Sequence, residues 1–295
     1  MKTISRLLFI PLLLTLLATG CTKDKGRIRL MASPMNGSKV FVPASGVNDA
    51  TWVVGETINL NGTSYAIGTG SDNLFYLYDA NDNAVAPLES TMYAIYPATL
   101  TTGGNNVVVT NNGSAGATIT INRLAVNFHD DGYDIVFPMA SKANANSNRL
   151  LFHHLTGGLK LTLSAQTSCT VATLKVVTFG TGAASAVTIE DVPYTVRWAV
   201  QGPNIPTGGV GGIEGDRDVK YASEMWFDMK DGTNPVTITS DGITFSVPVT
   251  VNSVNRITVI GYDANGAELF AKTQNLTSTT IQVNYMYTVP EIQIN

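Results

Sequence analysis

Residues able to do chemistry are sparse in this chain. His129, His153 and His154 are its three imidazoles, no serine stands in a G-x-S-x-G elbow, and no C-x-x-C pair occurs. His129-Asp130-Asp131-Gly132-Tyr133-Asp134 gathers an imidazole and three carboxylates. A metal needs such groups to converge from oriented side chains; here Asp131-Gly132 accounts for the acids as a hairpin turn. His153 and His154 are neighbours in a stretch that reads as a strand. Successive strand residues face opposite sides, so the two rings cannot share one metal or one proton.

Asp79-Ala80-Asn81-Asp82-Asn83 opens like a calcium loop. An EF-hand needs Gly at its sixth position and a bidentate Glu at its twelfth, and Ala84 and Ser90 stand there. A solvated turn is the expectation. Gly208-Gly209-Val210-Gly211-Gly212 lacks the Lys-Ser/Thr of a phosphate cradle and runs into Glu214 and Asp216, so it reads as a loop. Trp52, Trp198 and Trp226 could stack on sugars, but large aromatics in sandwiches are more often core. Core is expected for all three, with Trp226 the least settled. No catalytic, cofactor-binding or metal residue is assigned, and no enzyme activity is expected.

The composition says what would position such groups. Of 295 residues 14% are charged and 44% hydrophobic, with Thr and Asn heavily used. That excludes a coiled coil, a charged disordered chain and a zinc-finger array. It is the composition of β-strands joined by tight turns. Residues 1–20 hold Lys2 and Arg6, then an apolar run over 7–18, too short for a stable bilayer helix and suited to a secretory signal. The run ends in Ala18-Thr19-Gly20-Cys21, which resembles a bacterial lipobox; Cys21 would receive the lipid and become the first mature residue. Removing Lys2 and Arg6 from 18 Lys+Arg leaves 16 against 22 Asp+Glu, a net −6. Such a charge does not attract nucleic acid. With Cys21 lipidated, Cys169 has no disulfide partner within the chain and reads as a small buried strand residue.

Turn pairs punctuate the rest: Asn61-Gly62, Asn112-Gly113, Asp131-Gly132, Asp231-Gly232, Asp241-Gly242 and Asn265-Gly266. VTITSDGITFSV predicts a hairpin with Val236, Ile238, Ile243, Phe245 and Val247 on one face. Residues 257–270 and 107–121 predict two more. Residues 218–229 fit either a helix or a strand. SKANANSN (141–148) reads as a connection between two β-sandwich domains, and 201–216 as a loop.

Four blocks resemble the fimbrillin family, subunits of type V pili and related surface lipoproteins. They are ATWVVGETINLNGTSYAI (50–67), TMYAIYPATL (91–100), IVFPMASK running into LLFHHLTGGLKLTLSA, and the closing IQVNYMYTVPEIQI. Together with the lipobox they span nearly the whole chain. The resemblance implies an all-β fold of two tandem transthyretin-like β-sandwich domains after a lipoprotein signal peptide. The layout is signal peptide 1–20, lipidated tether 21–29, and sandwiches 30–150 and 151–295. It also implies a surface-exposed outer-membrane lipoprotein of the fimbrium, without cofactor. Its partners would be other fimbrial subunits, outer-membrane lipid through Cys21, and host or bacterial surface ligands. In stalk fimbrillins an Arg-specific protease removes the first strand, and a neighbour's strand fills the groove by β-strand addition.

Two features depart from the stalk pattern. The early arginines, Arg27 and Arg29, follow Cys21 closely, so cleavage there would remove a tether and leave 30–42 in place. The chain also ends at Asn295, where stalk subunits continue into a donor strand. The expectation is therefore an accessory, tip-type or anchor-type subunit acting in pilus assembly and adhesion. The alternative is a surface glycan-binding outer-membrane lipoprotein. Because one lipid is the expected anchor, a Cys21→Ser chain should leave the membrane fraction and take up no radiolabelled palmitate. Palmitate retained by that variant would refute the lipobox.

Overall fold

A computed structural model describes residues 26–32, 52–110, 113–130, 132–181, 187–198, 221–249, 253–283 and 285–295. These residues form an all-β fold, with no helix among them. The first strands are β1 (Arg29–Ala32), β2 (Thr57–Leu60), β3 (Thr63–Thr69), β4 (Phe75–Tyr78), β5 (Met92–Tyr96), β6 (Asn106–Thr110), β7 (Ala117–His129) and β8 (Gly132–Asp134). There follow β9 (Met139–Ala143), β10 (Arg149–His154), β11 (Gly157–Ser164), β12 (Cys169–Val171), β13 (Thr173–Thr181), β14 (Val187–Ile189) and β15 (Val192–Trp198). The last are β16 (Tyr221–Asp231), β17 (Asn234–Ile238), β18 (Ile243–Val249), β19 (Ser253–Tyr262), β20 (Glu268–Thr280), β21 (Met286–Thr288) and β22 (Ile292–Gln293).

Seven strands close into a barrel in the order β1-β10-β9-β5-β2-β3-β4, with β4 returning to β1. Every neighbouring pair is antiparallel except β1 and β10. A larger sheet runs β14-β15-β7-β16-β13-β19-β20, with β6 and β8 on β7 and β17 joining β16 to β12. In a third sheet β18, β21 and β22 all pair with β11.

β7 binds the large sheet together. Its first half lies between β6 and β15, and its second half lies between β8 and β16. The apolar alternation slips between the halves: Ile119 and Ile121 are buried, then Leu124 and Val126. The register slips with it, Asn106 opposing Arg123 while Val107 opposes Ile121. Asn122 is thus the extra residue of a β-bulge, which keeps both halves apolar side inward. Trp52 packs edge-on against Tyr96 and Phe152 at 5.2 and 5.1 Å, and Trp198 against Phe227 at 5.4 Å. Both tryptophans are core, as expected.

The sequence 236–247 does not form the predicted hairpin. β17 pairs with β12 and β16, whereas β18 pairs with β11. Asp241-Gly242 instead turns the chain from one sheet to another, closed by Gly242 N–H donating to Thr239 O at 3.1 Å. Val236, Ile238, Phe245 and Val247 are all buried. An alternation fixes which face is inward but not which strand lies alongside. The predicted pairings in 257–270 and 107–121 are present as β19–β20 and β6–β7. The ambiguous 218–229 stretch becomes strand from Tyr221 onward. Residues 141–148 finish β9 and turn into β10 within the barrel, so they are not a connection between separate sheets.

One turn is built twice. Asp79 Oδ1 accepts from the N–H of Asn81 and Asn83 at 2.8 and 2.9 Å. Asp263 Oδ1 accepts from Asn265 and Ala267 at 2.8 Å each. The fourth residue is left-handed in both, Asp82 at φ 59° and Gly266 at φ 80°. These bonds hold both carboxyls below the ordinary Asp range, backbone N–H from Asn83 and from Ala267 being the largest causes. The solvated turn expected at residue 79 is thus present, its carboxylate turned onto its own loop.

At the entry to β7, Gly116 has φ +79°, and a Cβ there would lie 1.7 Å from Pro193 O of β15. Gly113 has φ +91° with open space around it. Gly113→Ala should therefore cost only about 1 kcal/mol of backbone strain. Gly116→Ala should cost at least about 3 kcal/mol, strain plus displacement of β15. Urea midpoints compare the two, and equal costs would contradict the close approach.

Candidate strand-exchange site

The barrel closes on a short segment, Arg27-Ile28-Arg29-Leu30-Met31-Ala32. Through Leu30 charged and apolar residues alternate, so Ile28 and Leu30 point inward, 0% and 4% exposed, while Arg27, Arg29 and Met31 are half-buried. Leu30 lies beside Leu150 and Ala32 beside Phe152 in parallel register with β10. On the other side a single register pair, Arg29 with Tyr76, reaches β4. Backbone bonds complete the grip: Ile28 N–H to Val85 O at 3.0 Å, Leu77 N–H to Ile28 O at 3.3 Å, and Arg29 N–H to Asn148 O at 2.9 Å. If this segment left, two strand edges and two apolar positions would open at once.

Arg27 and Arg29 flank Ile28. The Arg27 guanidinium carbon stands 4.4 Å from the Tyr76 ring centre, and Tyr76 Oη donates to Asp72 Oδ2 at 2.6 Å. That hydrogen bond is the main reason the Asp72 carboxyl titrates below its ordinary range, with Arg27 contributing. The tether expected through residue 29 is shorter than that, because the fully buried Ile28 and the strand residue Arg29 belong to the barrel. Two arginines around one isoleucine look like a polar leash in sequence. The alternation that would have revealed a strand extends over too few residues to be distinctive. Cys21 and residues 30–42 beyond Ala32 lie outside the described residues, as do 201–216.

The other candidates separate. His129 Nε2 lies 3.6 Å from Asp134 Oδ1 across the β7–β8 hairpin. Among the described residues no three His, Cys, Asp or Glu side chains converge on a metal position. His153 and His154 face opposite sides, as expected, with His154 buried. Trp226 is half-buried on the large sheet. Tyr262 stacks on it at 5.7 Å and 22°, and Lys175 Nζ and Arg123 Cζ stand 5.1 and 5.9 Å from its ring centre. Cys169 is half-buried on β12, where burial pushes its thiol up.

A cavity of about 100 Å³ lies where the barrel meets the large sheet, lined by Trp52, Glu56, Tyr96, Tyr133, Asp134 and His154 among others. Tyr96 Oη donates to Glu56 Oε2. Burial raises the Glu56 carboxyl, the Tyr96 bond opposes that, and Asp134 adds to the rise. Burial, helped by His153, lowers His154 to about 4.

No protein-family model matches the chain, and no curated protein matches it. Among solved structures it is similar to a candidate cell adhesion protein from Bacteroides ovatus, at 14% identity over 90% of this chain and 91% of that one, TM-score 0.41. Another, from Bacteroides fragilis, shares 12% identity over 90% and 93%, TM-score 0.40. A fimbrial protein from Bacteroides ovatus shares 10% over 92% of this chain and 50% of its own, TM-score 0.29. Superpositions this loose decide neither topology nor role.

Glu56 and His154 act oppositely on stability. Glu56 holds its proton more tightly when folded, so stability falls as pH rises from 4.5 through its raised value. His154 binds a proton less readily when folded, so its contribution is complete above 6.5 and is lost, up to roughly 3 kcal/mol, as pH falls to about 4. Glu56→Gln should match the wild type near pH 4 and exceed it at pH 7. His154→Leu should lose the part of the decline that falls between pH 6.5 and about 4. Urea midpoints across pH test both, and parallel curves for all three chains would contradict the assignment.

Proposed function

We propose that this chain is a fimbrillin-like structural subunit of cell-surface fimbriae, of the accessory, tip or anchor type, that assembles by β-strand addition. The observation that carries the reading is the closure of the barrel by β1. Five residues, Ile28 and the four of β1, entering from the N-terminal side, supply two buried side chains and the hydrogen bonds of two strand edges. Burying two such side chains is worth about 3–6 kcal/mol before ordering costs. That is enough to hold a strand and small enough for a better-fitting strand to replace. The incoming strand would run parallel to β10 and place apolar side chains where Ile28 and Leu30 now sit.

Within this reading the barrel and the two remaining sheets are two tandem transthyretin-like sandwiches, the second of which also takes in β6, β7 and β8 from the chain before β10. The doubled Asp79 and Asp263 turn supports a repeated unit. Cys21 carries the lipid that anchors the chain in the outer membrane, and other fimbrial subunits and surface ligands are its partners. The chain is non-enzymatic. Arg-specific cleavage after Arg27 or Arg29 leaves Leu30 to Ala32 on β10, which favours the accessory role over the stalk. The alternative, glycan binding, needs a bare aromatic face. Trp52 and Trp198 are buried, and Trp226 carries Tyr262 on its ring.

The test is exchange. A specific protease site placed within residues 33–51 allows the folded chain to be nicked behind β1. In mild urea the nicked chain should take up a labelled peptide of residues 22–32. Uptake should fall at least tenfold when Ile28 and Leu30 of the peptide are serine. A nicked, still folded chain that takes up no peptide would overturn the reading.

A further inference from the structure

The two arginines that flank Ile28 meet contacts of opposite sign. At the entrance to β1 Arg27 lies over the Tyr76 ring at 4.4 Å, a cation–π contact. The ring itself is fixed from two sides. Its hydroxyl donates to Asp72. Beneath it, a Cβ added at Gly70 would come within 2.7 Å of the ring and 2.6 Å of Asp72 Oδ1. Gly70 thus lets the β3–β4 turn fold Asp72 back against Tyr76, which presents one ring face to the guanidinium. One residue past Ile28 the balance reverses. Arg29 stands in register with Arg149 of β10, and like charges side by side on neighbouring strands are unfavourable.

We propose that Arg27, Tyr76 and Asp72 form a latch that sets how often β1 opens, against a standing push between Arg29 and Arg149. The latch rests on the strand-exchange reading for its use, but its physics does not. Opening controls access in two ways. Ile28 has no exposed surface, and both its N–H and its C=O are hydrogen-bonded. A protease that must bind the chain in extended, unpaired form therefore cannot reach the Arg27–Ile28 or Arg29–Leu30 bond while β1 is seated. Cleavage at either arginine then follows the open fraction rather than the intrinsic susceptibility of the bond. A strand replacing β1 faces the same gate. The latch makes β1 a seated strand with a set release rate, whereas the Arg29–Arg149 pair keeps that rate from vanishing.

Hydrogen exchange of the Ile28 and Arg29 amides in the folded full chain reads the open fraction directly. Arg27→Gln, which removes the cation and leaves the barrel interior intact, should speed exchange of both amides about fivefold, the worth of one cation–π contact. Arg27→Lys should recover part of that. Arg149→Gln should slow exchange about twofold by relieving the like-charge pair. Amides of β11 should not change in any variant, which separates local opening from global loss of stability. An Arg-specific protease should cut Arg29–Leu30 faster in Arg27→Gln by the same factor. Unchanged Ile28 exchange in Arg27→Gln, or faster exchange in Arg149→Gln, would overturn the latch. Exchange rates that shift as stated while a nicked chain takes up no peptide would leave the latch standing and remove the strand-exchange role.

Discussion

A sheet with two edges facing one another must be closed or covered, because unpaired backbone groups there recruit other strands. In this molecule closure falls to one four-residue strand. β10 and β4 do not pair with each other; β1 lies between them, and the barrel is a barrel only while β1 is seated. Parallel pairing on one side and a single register pair on the other make it a slight closure. The inward side chains of Ile28 and Leu30 supply much of the holding force.

The rest of the molecule is far more redundantly bound. β7 pairs with four other strands, and its bulge at Asn122 lets one continuous strand present apolar residues inward along its whole length. β13 is flanked along most of its length by β16 on one side and β19 on the other. On the outer face of this sheet, Arg123 bonds Asp228 at 2.7 Å and Lys175 approaches Glu224 at 3.9 Å around Trp226. An aromatic ring enclosed by a tyrosine and two cations is a packed surface rather than an open platform. Loss of β1 would therefore leave a stable body with one open groove, whereas loss of any central strand of the large sheet would not.

The sequence made some of this legible and not the rest, for physical reasons. Gly-containing turn pairs and period-two alternation identify strands and turns directly, which is why β6–β7 and β19–β20 are readable. The tendency of large aromatics in sandwiches to be core placed Trp52 and Trp198 inside. Alternation is silent about partners, so the 236–247 segment reads as a hairpin although its two halves join different sheets. The bulge at Asn122 leaves only a one-residue slip in an apolar pattern. β1 is the hardest element of all. Two arginines within three residues look like solvated tether, and only the position of Tyr76, far along the chain and held by Asp72, shows why a cation belongs there. The Glu56–Tyr96–Asp134 grouping is likewise assembled from three separate elements, with no local spacing to announce it.

The direction of the connection matters as much as its strength. β1 is tied to the barrel at its C-terminal end, through residues 33–51 to Trp52. A strand covalently joined to the body that carries its groove occupies it at an effective concentration set by the connection. An incoming strand from another molecule competes with that local concentration, not with the bulk. A cut after Arg27 or Arg29 does not remove the advantage, because Leu30, Met31 and Ala32 stay on the tethered side and Leu30 keeps its buried place beside Leu150. A cut after Arg27 takes away the cation of the latch, and a cut after Arg29 takes away Ile28 and the Arg29 charge as well, weakening the seat without emptying it. Complete vacancy requires either a break beyond Ala32 or a competitor whose gain in burial exceeds the advantage of the tether. On the proposed reading, a chain built this way would accept a partner strand reluctantly, which would suit a subunit that joins an assembly once better than one added in every repeat of a stalk.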